Sequence, residues 1–557
     1  MTIRNLKKLL RPRSVALIGA SPKTGSVGHT IRTRLLAAGF NGHVTCINPK
    51  YTEIEGEPCF ASLADAPDAP DLGIVVTPPQ IVPKVIGELG ATGARAAIVI
   101  TAGLIDENGL RQAMLDAAQP FCLRILGPNC VGLQVPDIGL NASFAHLTAQ
   151  SGKLALLSQS GAIIVSMLDW AEARNVGFSV VASMGDMADV DLGDMLDELS
   201  TDPGTRAILM YVEQVTNPRK FMSAARAAAR NKPVIVVKSG RSDQASKAAA
   251  SHTGALAGQD SVYDAAFRRA GIVRVEDLDD LFGVAEVLAQ LRPMQSDRLA
   301  ILTNGGGAGV LAADALASSK ASFANLTAET IDTLNACLPA TWSHGNPVDI
   351  IGDADPDRYR QALSALLDDS ETDAVLVMHC PTGMTSFDDI AEVIIQTRAH
   401  LDKRSMAPKP VITCLLGEAT AKSAGEQLSQ AGLPVYKTPA QAIRGFSYLV
   451  QHTKAQRELR RTPPQLPEGP EPDRDHVRSV LALARSDGRR WLNEPEAKSV
   501  LAAYGIPTVP TKIADSPQTA RDIAAEFLIK TNYVVLKILS PDITHKSDVG
   551  GVRLNIA

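Results

Sequence analysis

Three small-residue turns, one histidine and one strand lysine carry most of the chemistry open to this sequence. Gly19, Gly25 and Gly28 follow the apolar run Ser14–Ile18 and precede a helical stretch at Thr30–Ala38. Backbone N–H groups and a helix N-terminus can there face a phosphate, or the glycines can serve a purely structural turn. The spacing is not GxGxxG, and Asn48-Pro49-Lys50 ends the second apolar run. An NAD site would want a carboxylate at that point for the ribose hydroxyls. Lys50 instead favours a ligand with an additional phosphate, such as coenzyme A or a 2′-phosphorylated nucleotide.

The second turn, Ser158-Gln159-Ser160-Gly161, also lies between a strand and a helix. It can cradle a phosphoryl group, or Ser160 can simply cap the helix. A serine nucleophile would want a GxSxG elbow, which is absent. His252 stands among small residues in AAASHTGALAG. A neutral imidazole is a good phosphoryl acceptor near pH 7, and the alternative is an exposed histidine before a helix. Glu213, leaving the run AILMYVE, could orient that ring or be a strand-end surface charge. The third turn, Asn304–Gly309, exposes backbone to a ligand or to a neighbouring domain, and Asn346-Pro347-Val348-Asp349 reads as local turn chemistry. Lys537 lies within a strand expected to be buried, where a lysine is costly unless it meets an anion such as ATP phosphate.

The elements that must position these groups repeat one theme. Short apolar runs ending in polar or glycine turns alternate with helical stretches, the pattern of parallel sheets covered on both faces. Ligands bind such sheets at the C-terminal strand ends. The expected domains are 1–135, Rossmann-like; 150–292 and 298–450, both flavodoxin-like; a charged, proline-rich linker at 451–485; and 486–557, which holds Lys537. At about 100–200 residues per domain, 557 residues suit three or four. The net charge of −5 argues against a polybasic nucleic-acid binder, and the basic stretch 454–461 lacks aromatic stacking partners. Seven cysteines without a CxxC imply neither a disulfide framework nor a zinc cluster. No run approaches the roughly 20 apolar residues of a bilayer span. The basic start MTIRNLKKLLRPRS leads into no apolar stretch of the signal-peptide kind. A cytoplasmic location is expected, with no membrane or nucleic-acid partner. The end at Ala557, on a strand just begun, reads as a truncated domain.

Taken in order, these signatures resemble the nucleoside-diphosphate-forming (ADP-forming) acyl-CoA synthetases, relatives of succinyl-CoA synthetase. The matching segments are SVALIGAS, GSVG, NPK, GPNCVG, SQSGA, YVE, SHTGALAG, NGGGAGV, NPVD and LKILSPDITHKSDVGGV. The resemblance implies an α/β architecture: a Rossmann-like CoA-binding domain, two flavodoxin-like domains and the beginning of an ATP-grasp domain. It implies that a carboxylate such as acetate, CoA and ATP yield acyl-CoA, ADP and phosphate through an acyl phosphate. His252 falls on the phosphohistidine position, Glu213 on its stabilising glutamate, and Ser160 and Gly161 on the phosphate-binding turn. CoA contacts fall on Gly19, Ser21, Gly25, Val27, Gly28, Asn48, Lys50, Thr77, Pro78 and Asn129. Lys537 falls on an ATP-phosphate lysine, and Mg²⁺ is expected, with ligands beyond this sequence. Asp186, the ADVDLGD stretch and LNASFAH look closer to a subgroup fused to a GNAT acetyltransferase. The alternative reading is therefore the CoA-binding regulatory portion of a protein-lysine acetyltransferase, with protein lysines as partners if such a domain follows. The same family context leaves room for a homo-oligomer. An NAD-dependent dehydrogenase is disfavoured by Lys50.

Overall fold

The computed structural model describes residues 4–173, 176–242, 244–245, 259–291, 294, 296–319, 321–402, 408–461, 471–540, 542–543 and 545–557. They form two compact units, Met1–Arg461 and Thr462–Ala557.

Among the described residues, the first unit contains three sheets. Strands β1 (Ser14–Ile18), β2 (His43–Ile47), β3 (Glu53–Ile54), β4 (Glu57–Phe60), β5 (Leu72–Val75), β6 (Ala96–Val99) and β7 (Arg124–Leu126) form the first, in the order β3-β4-β2-β1-β5-β6-β7. All its ladders are parallel except β3–β4. β5 and β6 are buried at every position, so they read as unbroken apolar runs. The chain runs from β1 to β2 on one side and returns to β5 on the other. This reversal leaves a crevice beyond the ends of β1 and β5.

The second sheet comprises β8 (Gly132–Val135), β9 (Leu140–Ser143), β10 (Ser151–Ser158), β11 (Phe178–Ser183), β12 (Ala207–Val212), β13 (Val234–Lys238) and β14 (Val273–Val275). Its order is β14-β13-β12-β10-β11-β8-β9, with the reversal between β10 and β12. The antiparallel hairpin β8–β9 is the departure from the sequence reading, which ended the first domain at 135: Val181 and Ala182 of β11 pair with Gln134 and Leu133. Polar Gln134, Asn141 and Ser143 are buried there and bond to one another, Gln134 Nε2 to Ser143 Oγ at 3.1 Å and Ser143 Oγ to Asn141 Oδ1 at 2.7 Å.

The third sheet comprises β15 (Arg298–Thr303), β16 (Ser322–Phe323), β17 (Val348–Asp349), β18 (Ala374–His379), β19 (Val411–Leu415) and β20 (Val435–Tyr436). Its path is β16-β15-β18-β19-β20, and β17 also pairs with β15.

Residues 451–460, expected to be linker, are instead the last turns of a 22-residue helix, Pro439–Arg460. Thr438 caps it, accepting from Gln441 N at 3.3 Å. Its buried positions Phe446, Leu449, Thr453, Gln456 and Leu459 recur at three- and four-residue spacing between charged neighbours. Ile443, Phe446 and Leu449 join a core shared by the second and third sheets, and Leu459 joins the core shared by the first and second. Gln456 Nε2 donates to Ala229 O at 2.6 Å, so the far end of the helix is fixed to the second domain.

In the second unit, helices Arg474–Ser486, Glu494–Ala503 and Pro517–Leu528 accompany an antiparallel pair, β21 (Val534–Lys537) with β22 (Val552–Ile556). β21 is largely exposed, which corrects the expectation of a buried strand.

Candidate active site

The turn after β1 is shaped by close backbone approach. A Cβ on Gly28 would lie 2.2 Å from Gly19 O, so only glycine lets the helix Val27–Ala37 start this near the turn. Gly19 has φ +98° and faces Val76 at the end of β5. Ser26 caps the helix by accepting from His29 N at 3.3 Å, and Ser21 Oγ accepts from Lys23 N at 3.1 Å. Asn48, after β2, donates through Nδ2 to Ala20 O at 2.7 Å and accepts from Lys50 N at 3.0 Å. It thus ties the second turn to the first and leaves Lys50 exposed, without an ion pair among the described residues. Thr77 and Pro78 follow β5, and Asn129 follows β7, so every residue expected at a CoA site lies at the same edge of one sheet. Thr77 Oγ1 is buried without a hydrogen-bond partner among the described residues. That orphaned hydroxyl, the glycine cradle and the free lysine fit a phosphorylated ligand at this edge.

Asn129 also faces the second domain: its Nδ2 donates to Asp186 Oδ1 at 3.1 Å, while Asp186 N donates to Pro128 O at 3.0 Å. Burial pushes the Asp186 carboxyl up, against the Asn129 hydrogen bond and the Arg111 charge. The first sheet's end is thereby stitched to the turn after β11.

At the reversal of the second sheet, the turn after β10 meets the turn after β12. Ser158 Oγ donates to Ser160 O at 2.9 Å and accepts from Ser160 N at 3.1 Å. Ser160 is the N-cap residue of the helix Gly161–Glu172, but its side chain makes no capping bond, leaving that hydroxyl available. A Cβ on Gly161 would meet Val131 Cγ2 at 2.5 Å, which accounts for glycine at the first helical position. Across the crevice, half-buried Glu213 and Gln214 donate their backbone N–H groups to Gln159 Oε1 at 2.7 and 3.0 Å. The structure therefore brings Ser160, Gly161 and Glu213 to one place. His252 and its neighbours Ser251–Gly258 lie outside the described residues.

Sequence reasoning passed over two groups at this reversal. One is Gln159, whose residue type carries no signal of the bond it makes. The other is Lys238, at the end of β13 and 3% exposed. Its ammonium donates to Ser239 O and lies 4.6 Å from the centroid of the Tyr263 ring. Burial pushes its pKa down, opposed by Asp260 and Glu213. A buried lysine at a strand end, in the run VIVVKSG, is the signal that could have flagged it.

The third sheet carries a turn of the same design. Thr303 Oγ1 donates to Gly305 O at 3.1 Å and accepts from Gly305 N at 3.0 Å, and the helix Gly306–Ala317 follows. Asn346 is structural, as its turn chemistry suggested: Nδ2 donates to Leu299 O and Ala324 O at 2.9 and 3.0 Å.

In the second unit, Lys537 is 42% exposed and pairs with Glu494 at 2.8 Å, so its partner here is a carboxylate on an open surface. Lys498 and Lys546 approach the same carboxylate at 3.1 and 3.5 Å. The Lys537 hydrogen bond, with Lys498 behind it, holds Glu494 down at about 2. Three lysines on one glutamate leave a cationic surplus suited to polyphosphate.

Comparison with known proteins assigns this pairing of a glycine-lined sheet edge with a neighbouring sheet reversal to the CoA-dependent acid–thiol ligases of the succinyl-CoA ligase type. Family models match along the chain: a CoA binding domain at 13–136, a succinyl-CoA ligase like flavodoxin domain at 151–288, a ligase-CoA domain at 299–453 and an ATP-grasp domain at 483–557. The acetate–CoA ligase [ADP-forming] I of Archaeoglobus fulgidus is 39% identical over 99% of this chain and 78% of its own length. The 4-hydroxybutyrate–CoA ligase [ADP-forming] of Nitrosopumilus maritimus is 33% identical over 98% of this chain and 78% of its own. The acetyl-coenzyme A synthetase 1 of Ca. Korarchaeum cryptofilum, solved with phosphate and ADP, superposes with a TM-score of 0.75 at 33% identity, over 82% of this chain and 98% of that one. The chain belongs to the ADP-forming acyl-CoA ligases, and CoA and the adenine nucleotide are its cofactors.

Proposed function

We propose that the acyl group is acetate and that the phosphoryl group travels through His252. In the direction of acyl-CoA use, a phosphate oxygen attacks the thioester carbonyl carbon. The C–S bond breaks, and CoA leaves as the thiol with a proton from phosphate. The acyl phosphate then passes its phosphoryl group to an imidazole nitrogen of His252, releasing acetate, and ADP accepts it to give ATP. Ser160 and Gly161 hold the phosphate through the free hydroxyl and the helix N-terminus, and Glu213 holds the imidazole in its accepting orientation. The CoA phosphates lie along Gly19, Ser21, Gly25, Val27, Gly28, Asn48, Lys50, Thr77, Pro78 and Asn129, and Lys537 takes nucleotide phosphate. Mg²⁺ accompanies ATP as the counter-ion of its phosphates; among the described residues no group of three or more His, Cys, Asp or Glu side chains forms a metal site.

The observation that supports this reading best is the meeting of Ser160, Gly161 and Glu213 across the β10–β12 reversal, closed by Gln159. The test is incubation with labelled inorganic phosphate and a panel of acyl-CoAs. Acid-labile, base-stable labelled protein that needs acetyl-CoA and disappears in His252→Ala is expected. Label with a different acyl-CoA would reassign the acyl group. Absence of label with CoA binding intact would point to a CoA-binding regulatory module instead.

A further inference from the structure

The Gln159 side chain bridges the two strands between which the second sheet reverses. Its Oε1 accepts from the N–H groups of two successive residues, Glu213 at 2.7 Å and Gln214 at 3.0 Å, and its own backbone N–H donates to Tyr211 O at 3.3 Å. Ser158, one residue earlier, locks the main chain of Ser160. A four-residue stretch thus fixes the phosphate-facing turn from one side and the backbone that carries the Glu213 carboxylate from the other.

The third sheet repeats the device with different residues. Thr303 locks Gly305, the helix begins at Gly306, and Asn304 spans the reversal to Cys380, accepting from its N–H at 2.7 Å and donating to its carbonyl at 3.0 Å. Both stretches place an amide side chain immediately after the strand hydroxyl and send it across to the strand on the far side of the reversal. In the second sheet alone the clamped residue is the glutamate assigned to the phosphohistidine. An amide carbonyl is well suited here because it accepts two N–H groups while adding no charge beside Glu213.

We infer that Gln159 is a positioning residue for phosphoryl transfer, acting through Glu213 by holding its backbone against the Ser160–Gly161 turn. This rests on the reading of Glu213 given above. Loss of the clamp frees Glu213 to shift, and a displacement of about 1 Å at a reacting group can cost on the order of 100-fold in rate.

The test uses the full chain, labelled inorganic phosphate and saturating acetyl-CoA, with CoA affinity measured separately. Gln159→Leu is expected to slow labelling about 10- to 100-fold with CoA affinity changed less than about twofold. Gln159→Glu keeps an oxygen for both N–H groups but sets a second carboxylate beside Glu213, so it should recover only part of the rate that Gln159→Leu loses. Combined with Glu213→Gln, Gln159→Leu should add less than about twofold, the signature of two residues in one chain of action. A wild-type labelling rate in Gln159→Leu, or an effect that multiplies in full with that of Glu213→Gln, overturns the inference and leaves Glu213 in place. A wild-type rate in Glu213→Gln overturns the reading of Glu213 itself. If Gln159→Leu does not fold, Gln159→Asn, which withdraws the acceptor by one methylene, gives the same comparison.

Discussion

A methyl group added at Gly28 would stand 2.2 Å from the carbonyl oxygen of Gly19, so the β1 turn has no room for any other residue. Gly28→Ala must push the helix away from the turn and take its N–H groups out of reach of a phosphate. Calorimetric titration with CoA should show at least about a tenfold loss of affinity, a fraction of what two or three charge-assisted bonds supply. Gly25 is the contrast: a Cβ there meets nothing within 4 Å, and only its φ of +80° resists substitution. The glycines were legible in the sequence as a turn, but their separate reasons were not, because those reasons are distances to groups brought near by the fold. Lys537 makes the same point in reverse. Its type suggested an anionic partner, and it has one, but the partner is Glu494 at the start of a helix, and the strand that carries Lys537 is exposed rather than in a core.

Among the elements, the parallel strands were legible because burial on both faces leaves continuous apolar runs, as in β5, β6 and β13. The hairpin β8–β9 was hidden by Gln134, Asn141 and Ser143, polar residues that bond to each other inside the core. The end of the helix Pro439–Arg460 was hidden by its charges, since its buried stripe appears only at helical spacing. That helix carries His452, 7% exposed, whose pKa burial and the Arg460 charge push down to about 4. A histidine that stays neutral when folded contributes nothing adverse above its ordinary value of 6.5, and it opposes folding progressively as pH falls from 6.5 to 4. The loss should approach about 3 kcal/mol for this residue at the low end. Thermal unfolding followed across that window should steepen in the wild type. In His452→Gln the part of the slope due to this residue should vanish, while the part due to His379, held near 4 by its own burial, remains.

At the scale of the first unit, the CoA-binding sheet and the second sheet are joined by ions as well as by a shared core. Arg124 of β7 reaches Asp189 at 2.9 Å and Asp194 at 3.0 Å, and Lys220 meets Asp191 and Asp194, both at 2.9 Å. Asp194 is 1% exposed, so stripping a cation from it leaves a buried carboxylate short of charge. Arg124→Ala should cost about 3 kcal/mol, seen as an earlier first transition in thermal unfolding. The same join sets Asn129 beside Asp186, so loosening it should also weaken CoA binding, and calorimetry on the variant checks that. The sequence disclosed the parts of this assembly in order; which part holds which depended on long-range pairs such as Arg124 with Asp194.

In the proposed reaction, acyl transfer to phosphate precedes phosphoryl transfer to histidine. The most direct measurement is trapping of acyl phosphate as its hydroxamate after mixing the protein with acetyl-CoA and inorganic phosphate, in the wild type and in His252→Ala. Hydroxamate and free CoA, both dependent on phosphate, are expected in both proteins, with phosphoprotein formed by the wild type alone. CoA binding without phosphate-dependent hydroxamate or CoA release in either protein would contradict it.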